Sequence, residues 1–272
     1  MSSDIKKLQK SFLILEKPQG MTSFEACDAA RQKIGAEKAG HAGTLDPNVT
    51  GVLLIALNKA TKLMPLFERL DKTYEGKAHL HKDVSLKELK ETIKKKFLGK
   101  IKQVPPKKSR VARIEREREV YEFKILKKKD KDVWFKVHCE AGTYIRKLIH
   151  DLGQELKVGA HMAELRRTKQ GPFSIKQAVA LEKLTEKKVI EAEKLVKKVS
   201  PIIFVTKEAR EKLRQGKFLF AKDIVKIKGK FDKEQIIAAF YGKEVIALIK
   251  PFFNSREIKK QKSYVLKPER II

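Results

Sequence analysis

A single carboxylate set among glycines is the feature of this sequence with the clearest chemical potential. The stretch Gly40-His41-Ala42-Gly43-Thr44-Leu45-Asp46-Pro47 runs on into Thr50-Gly51-Val52-Leu53. Glycine on both sides of Asp46 lets the backbone turn tightly and approach a ligand closely. Pro47 biases Asp46 toward an extended conformation and stiffens the chain after it. On residue types alone, though, Asp-Pro in a glycine-rich loop fits a plain turn more readily than an active site. His79, His81, His138, His150 and His161 show no H-x-x-x-H spacing and no Cys partners, so structural or solvent-facing roles are expected and no metal site. Cys27 and Cys139 are the only cysteines. Two isolated thiols fit a reducing compartment and argue against a disulfide scaffold or a Cys-based zinc site.

The elements that must position Asp46 are legible on both sides of the loop. Phe12 to Leu15 reads as a strand, followed by a turn at Lys17-Pro18-Gln19-Gly20. Thr22 and Glu25 form a capping box for a helix that stops before Gly35. After the loop, Val52 to Leu57 is a buried strand signal. Tyr74, Gly76, Ala78 and Leu80 then alternate with Glu75, Lys77, His79 and His81 on the opposite strand face. Ser85 and Glu88 cap a helix with the apolar stripe Leu86, Leu89, Ile93 and Phe97. Two further strands follow, one with Tyr121, Phe123 and Ile125 on a face, the other with Val133, Phe135, Val137 and Cys139. Leu148, Ile149, Leu152 and Leu156 suit a helix packed on that sheet. Strands and helices mix without regular βαβ alternation, which predicts an α+β domain over residues 1–180. Residues 181–199 read as a connector helix. Residues 200–272 read as a small, mainly β domain, with a hairpin of Ile236 to Phe240 and Val245 to Ile249 around Tyr241-Gly242-Lys243.

Charge narrows the function classes. The 272 residues carry 63 Lys plus Arg against 34 Asp plus Glu, a net charge of +29. Such an excess self-repels and points to a polyanionic partner, nucleic acid foremost. A Lys-rich proteome or adaptation to heat is the other source of such a balance. The basic runs at Lys94 to Lys96, Lys107-Lys108 and Lys127 to Lys129 are expected on solvated faces, some touching phosphate. The longest apolar run, Val52 to Leu57, is far too short to span a bilayer, and residues 1–10 lack a signal peptide's apolar stretch. A cytoplasmic protein with no membrane partner is expected.

The string GHAGTLDPNVTGVLLIALNKATKL resembles the signature loop of the TruB-type RNA pseudouridine synthases. LEKPQGMTS resembles that family's N-terminal motif, DKTYEGKAHLH its tyrosine-bearing strand, and EAGTYIRKLIHDLG followed by VGAHMAELRRTKQGPF its arginine motif and the segment after it. Together these span most of residues 11–175 in the family's order. The HLH pair, QVPPKKS and VGAHMAELRRT are most similar to the archaeal and eukaryotic dyskerin-type branch, the catalytic subunit of H/ACA guide-RNA particles.

The resemblance implies a catalytic domain on a mixed, largely antiparallel sheet and a C-terminal PUA domain, here shortened and diverged around Lys228-Gly229-Lys230 and EVIALIK. It implies Asp46 as the catalytic aspartate, Tyr74 as the active-site tyrosine, although Thr73 stands where the branch usually has glutamate, and Arg146 as the arginine pairing with the aspartate. Lys17, with Pro18, would support the catalytic loop. His41 would fill the gap left by a flipped base, with Thr44, Arg166 and Arg167 also at the RNA. The implied reaction breaks the C–N glycosidic bond, turns the base and rejoins it through carbon. This is an isomerisation, so neither cofactor nor metal is expected. The aspartate would attack sugar or base or remove a sugar proton, and the sequence leaves that choice open. The partners implied are substrate RNA (rRNA, or the T-loop uridine of tRNA), an H/ACA guide RNA and the particle's small accessory proteins. The N-terminal extension that wraps the PUA domain in this branch has no counterpart ahead of residue 11, so weaker guide anchoring is expected. A guide-independent tRNA enzyme and a non-catalytic RNA-binding or ribosome-assembly protein are the competing readings.

Overall fold

The computed structural model describes residues 8–105, 112 and 114–272. Strand β1 (Lys10–Lys17) lies antiparallel to β3 (Thr50–Asn58), paired from Lys10 opposite Asn58 to Lys17 opposite Gly51. The short β2 (Ala39–Ala42) pairs with the other edge of the same run. Val52 to Leu57 are fully buried because both faces of β3 are covered. On one side Leu53, Ile55 and Leu57 meet helix α1 (Ser23–Ile34) through Ala26, Ala30 and Ile34. On the other, Val52, Leu54 and Ala56 join a core that reaches the C-terminal sheet. That double burial explains an unbroken apolar run where a half-exposed strand would alternate. Thr22 and Glu25 cap α1 reciprocally, and Gly35 ends it at φ +70°.

A short helix α2 (Met64–Glu68) leads to β4 (Lys72–Leu80), α3 (Leu86–Lys96), β5 (Gly99–Gln103), β6 (Arg116–Lys129), β7 (Asp132–Cys139), α4 (Ile145–Glu155), β8 (Ala160–Gln170) and β9 (Phe173–Ser174). With β10 (Val179–Ala180) the main strand order is β10-β1-β3-β8-β4-β7-β6-β5. Only β1–β10 and β3–β8 are parallel along this path, so the α+β sheet is mixed and largely antiparallel. Ala78, Leu80, Val133, Phe135 and Val137 pack under α3 and α4, meeting Leu89, Ile93, Leu148, Ile149 and Leu152.

Three expectations are corrected here. Leu86 is 42% exposed, since it is the first helical residue and points off the stripe that buries Leu89 and Ile93. Tyr121 is 48% exposed and Val120 buried, because a bulge between Val120 and Glu122 flips the strand's alternation; Tyr121 packs instead at a tilt against His138, ring centres 4.9 Å apart. The helix expected over residues 181–199 covers only Ala192–Val199 (α5). Ahead of it, 3₁₀ turns alternate with β10 and β11 (Ile190–Glu191), both paired with β1. Leu184 and Val189 are buried against α1, and Lys33 Nζ donates to the carbonyls of Leu181 and Glu182 at 3.0 and 2.7 Å. The stretch is therefore a flank of the first sheet whose apolar spacing imitates a helix.

The second sheet comprises β12 (Ile202–Val205), β13 (Leu219–Phe220), β14 (Ile224–Lys228), β15 (Ile237–Tyr241), β16 (Glu244–Pro251) and β17 (Tyr264–Ile271), in the order β13-β17-β16-β15-β12-β14. Helix α6 (Lys207–Arg214) covers one face through Ala209 and Leu213. Tyr241 pairs with Glu244, which makes the hairpin turn Gly242-Lys243, with Gly242 at φ +58°. The opposite face, through Ile202, Ala238, Phe240 and Leu248, shares a core with Phe12, Leu54 and α5.

Candidate active site

The loop between β2 and β3 is held from beneath by side chains that reach its backbone. Ser23 Oγ accepts from the Leu45 amide at 2.7 Å and donates to the Leu45 carbonyl at 3.0 Å. Lys17 is fully buried, and its Nζ donates to the carbonyls of Pro18, Met21 and Pro47 at 2.7, 2.5 and 3.1 Å. Burial lowers the Lys17 pKa, and the negative charges of Asp46 and Glu25 oppose that shift. The Gly20 amide donates to Pro47 O at 3.0 Å, and the Val49 amide closes a turn on Asp46 O at 3.0 Å. The residues on either side of Asp46 are thus pinned while its carboxylate stands half exposed at the surface.

Arg146 meets that carboxylate. Its guanidinium donates to Asp46 Oδ2 in an ion pair between side chains 53% and 51% exposed. Arg146 is the second residue of α4, whose N-cap, Tyr144, makes no side-chain cap bond. The start of the helix is instead fixed by buried Gln103 at the end of β5. Gln103 Oε1 accepts from the Tyr144 amide at 3.0 Å, and Nε2 donates to its carbonyl at 3.3 Å. Behind the pair lies Tyr74, 8% exposed, packed in the same core as Leu45 and Val49. Burial pushes its phenol above the ordinary value, and the nearby Arg167 charge opposes this. The phenol is therefore protonated at neutral pH.

The remaining expected site residues divide. His41 is half-buried on β2; burial, then the Arg167 charge, lowers its pKa and keeps the imidazole neutral, and its Nδ1 is buried without a hydrogen-bond partner. Thr44 is exposed beside Asp46. Arg166 is half exposed and ion-paired with Glu16. Arg167, expected at the RNA, is 1% exposed, with Nε donating to Val52 O at 2.7 Å and Nη2 to Gly43 O at 2.9 Å. A phosphate has no access to it, because period-two alternation along β8 sends Arg166 outward and Arg167 inward. Elsewhere His79 bonds Asp132 at 2.7 Å, His81 meets His161 at 3.1 Å, and His138 bonds Asp71. Both thiols are buried and pushed up, Cys27 to about 11 and Cys139 to about 12. Most of QVPPKKS, with Lys107 and Lys108, lies outside the described residues.

Residues 31–145 match the TruB family pseudouridylate synthase N-terminal domain, and residues 146–206 the tRNA pseudouridylate synthase B C-terminal domain. A probable tRNA pseudouridine synthase B of Methanococcus maripaludis strain C7 is 37% identical over 286 residues, covering 99% of this chain and 86% of the relative. The chain belongs to the TruB family of pseudouridine synthases. Its fold is also that of the corresponding chain in a crystal structure of a Cbf5-Nop10-Gar1 complex, with TM-score 0.90 and 34% identity over 99% of this chain and 87% of that one. A structure of an H/ACA RNP bound to a substrate RNA containing 2′-deoxyuridine matches with TM-score 0.86 and 33% identity, over 99% and 87% of the two chains.

For this TruB-family enzyme the arrangement has direct chemical meaning. The Arg146 guanidinium, a planar donor fork, orients the Asp46 carboxylate it is paired with. Ser23, Gln103 and the inward role of Arg167 went unseen in the sequence. Ser23 and Gln103 do sit inside the quoted segments LEKPQGMTS and QVPPKKS, but their partners are 22 and 41 residues away in the chain.

Proposed function

We propose that this enzyme isomerises uridine to pseudouridine in RNA as the catalytic subunit of an H/ACA guide-RNA particle acting on rRNA, with weaker direct action on the T-loop uridine of tRNA. Asp46 is the reacting carboxylate, Arg146 holds it aimed, and Tyr74 lies against the uracil as a protonated phenol. Lys17 supports the loop, and His41, Thr44 and Arg166 contact the RNA. The observation that carries this reading is the Arg146–Asp46 ion pair, set over Tyr74 on a loop pinned by Lys17. Guide dependence is supported by the likeness, over 99% of this chain, to the chain solved with Nop10 and Gar1. Small accessory proteins of that kind are the partners we expect, and the compartment we assign is the cytoplasm. Residues 200–272 form a PUA-like RNA-binding unit in this reading, supported by their six-stranded sheet and by the Lys228-Gly229-Lys230 turn, where Gly229 has φ +86°. A stand-alone tRNA enzyme is the second reading, favoured by the match of residues 146–206 to the tRNA pseudouridylate synthase B C-terminal domain.

Pseudouridine mapping on a tRNA transcript and on a guide-matched rRNA fragment, each with and without guide and accessory proteins, separates these readings. We expect guided modification of rRNA and slow modification of tRNA by the lone protein. Full-rate tRNA modification with no gain on rRNA from any guide establishes the stand-alone reading instead. Asp46→Asn is expected to cut turnover on the order of 10⁴-fold while RNA still binds. Tight RNA binding with no product on either substrate would mean a retired enzyme.

A further inference from the structure

We propose that Arg167 is a positioning residue that clamps both ends of the catalytic loop and holds them in register with Tyr74. The proposal rests on the assignment of Asp46 and Tyr74 above. Strand β8 runs between β3 and β4, so Arg167 has Gly51 beside it in the parallel pairing and Tyr74 opposite it in the antiparallel one. Its backbone therefore joins the strand that leaves the catalytic loop to the strand that carries the tyrosine. The side chain then turns back under the loop. Nε binds the carbonyl of Val52, after Asp46, and Nη2 binds the carbonyl of Gly43, before it. One rigid guanidinium fork spans the two ends of the segment that presents the carboxylate, which an ammonium on a flexible stem cannot do in both directions.

The glycines of the loop interlock with this residue. A Cβ on Gly51 would lie 2.2 Å from the Arg167 carbonyl oxygen, and one on Gly43 would lie 3.4 Å from Nη1. Close approach of the Arg167 backbone thus requires glycine at position 51, whereas Gly43 is required by its φ of +80°. The guanidinium also lies against the Tyr74 phenol and opposes the upward shift that burial imposes on it. The carbonyls of Val52 and Gly43 are backbone acceptors, so its charge meets peptide dipoles and is felt by Tyr74 and His41.

The test uses the full chain with Arg167→Lys, Arg167→Met and, as comparator, Asp46→Asn. Turnover, KM, RNA affinity and the ultraviolet titration of the Tyr74 phenol (by difference from Tyr74→Phe) are measured on folded protein. Arg167→Lys is expected to lose about 100-fold in kcat, the scale of a misplacement of about 1 Å, with KM and RNA affinity unchanged. In Arg167→Met the phenol is expected to titrate at higher pH than in the wild type, because the cation beside it is gone. If the methionine variant fails to fold, the lysine variant decides. Arg167→Lys with kcat within about threefold of wild type overturns the proposal. So does loss of RNA affinity at unchanged kcat, which would make Arg167 a phosphate contact. An active Asp46→Asn would remove the site assignment itself, and this proposal with it, a result distinct from either outcome at Arg167.

Discussion

Arg146 stands in the first turn of α4, where the helix dipole disfavours a cation by about 0.3–1 kcal/mol. No acidic side chain in that turn relieves it; the carboxylate that does so, Asp46, comes from 100 residues earlier in the chain. A local rule is broken at the proposed site, where such breaks are expected. Lys72 is the second residue out of place. It is 5% exposed, its Nζ donates to Glu68 O at 2.7 Å, and burial, with Arg167 nearby, pulls its pKa down to about 8. Because the unfolded chain holds this proton up to about pH 10.5, the unfolded state binds more protons between about pH 8 and 10.5, and stability must rise with pH in that window. Urea unfolding at pH 7.5 and 9.5 checks this. The wild type is expected to gain about 2 kcal/mol over that interval relative to Lys72→Met. Parallel pH profiles for the two proteins would show that the lysine is not held in a costly state.

Helix α1 couples a helix cap and an anchor of the Asp46 loop in adjacent residues. Thr22 accepts from the Glu25 amide at 3.1 Å and only caps the helix, whereas Ser23, buried, bonds both backbone groups of Leu45. Thr22→Ala is expected to cost about 1 kcal/mol of stability and leave turnover intact. Ser23→Ala strands a buried amide and carbonyl, so it is expected to cost about 1–3 kcal/mol and also lower kcat, because the residue before Asp46 loses its anchor. Thermal melts and single-turnover rates on both variants test the contrast; equal activity in the two would mean that the loop is held without Ser23. β8 shows the same economy, presenting Arg166 to solvent and Arg167 to the loop from consecutive positions.

At the scale of the molecule, two sheets share a buried layer, and Lys10 ties them by donating to Val245 O at 3.0 Å and pairing with Glu193 at 2.6 Å. The chain carries a net charge of +29. RNA affinity is therefore expected to drop by about 10³-fold or more between about 50 and 200 mM salt, as released counterions are replaced. Filter binding or fluorescence titration across that range measures the slope of log affinity against log salt. A flat line would assign the excess lysines to something other than phosphate, without touching the catalytic site.

Local signals settled much of this protein ahead of any structure. The α1 caps, the period-two face of β4 and the buried run of β3 depend on neighbours within a few residues, and the motifs named Asp46 and Arg146, which the fold brings into an ion pair. What lay beyond the sequence shares one cause, long separation between partners. The bulge that exposes Tyr121 depends on the register of β6 against β7, and the path of residues 181–191 depends on an open edge of β1. Whether Arg166 or Arg167 faces the solvent depends on which side of β8 the Asp46 loop covers. A side chain's residue type states what it can bond; only the folded chain decides which carbonyls come within reach, because those of Gly43 and Val52 lie 124 and 115 residues from Arg167 until the sheet closes.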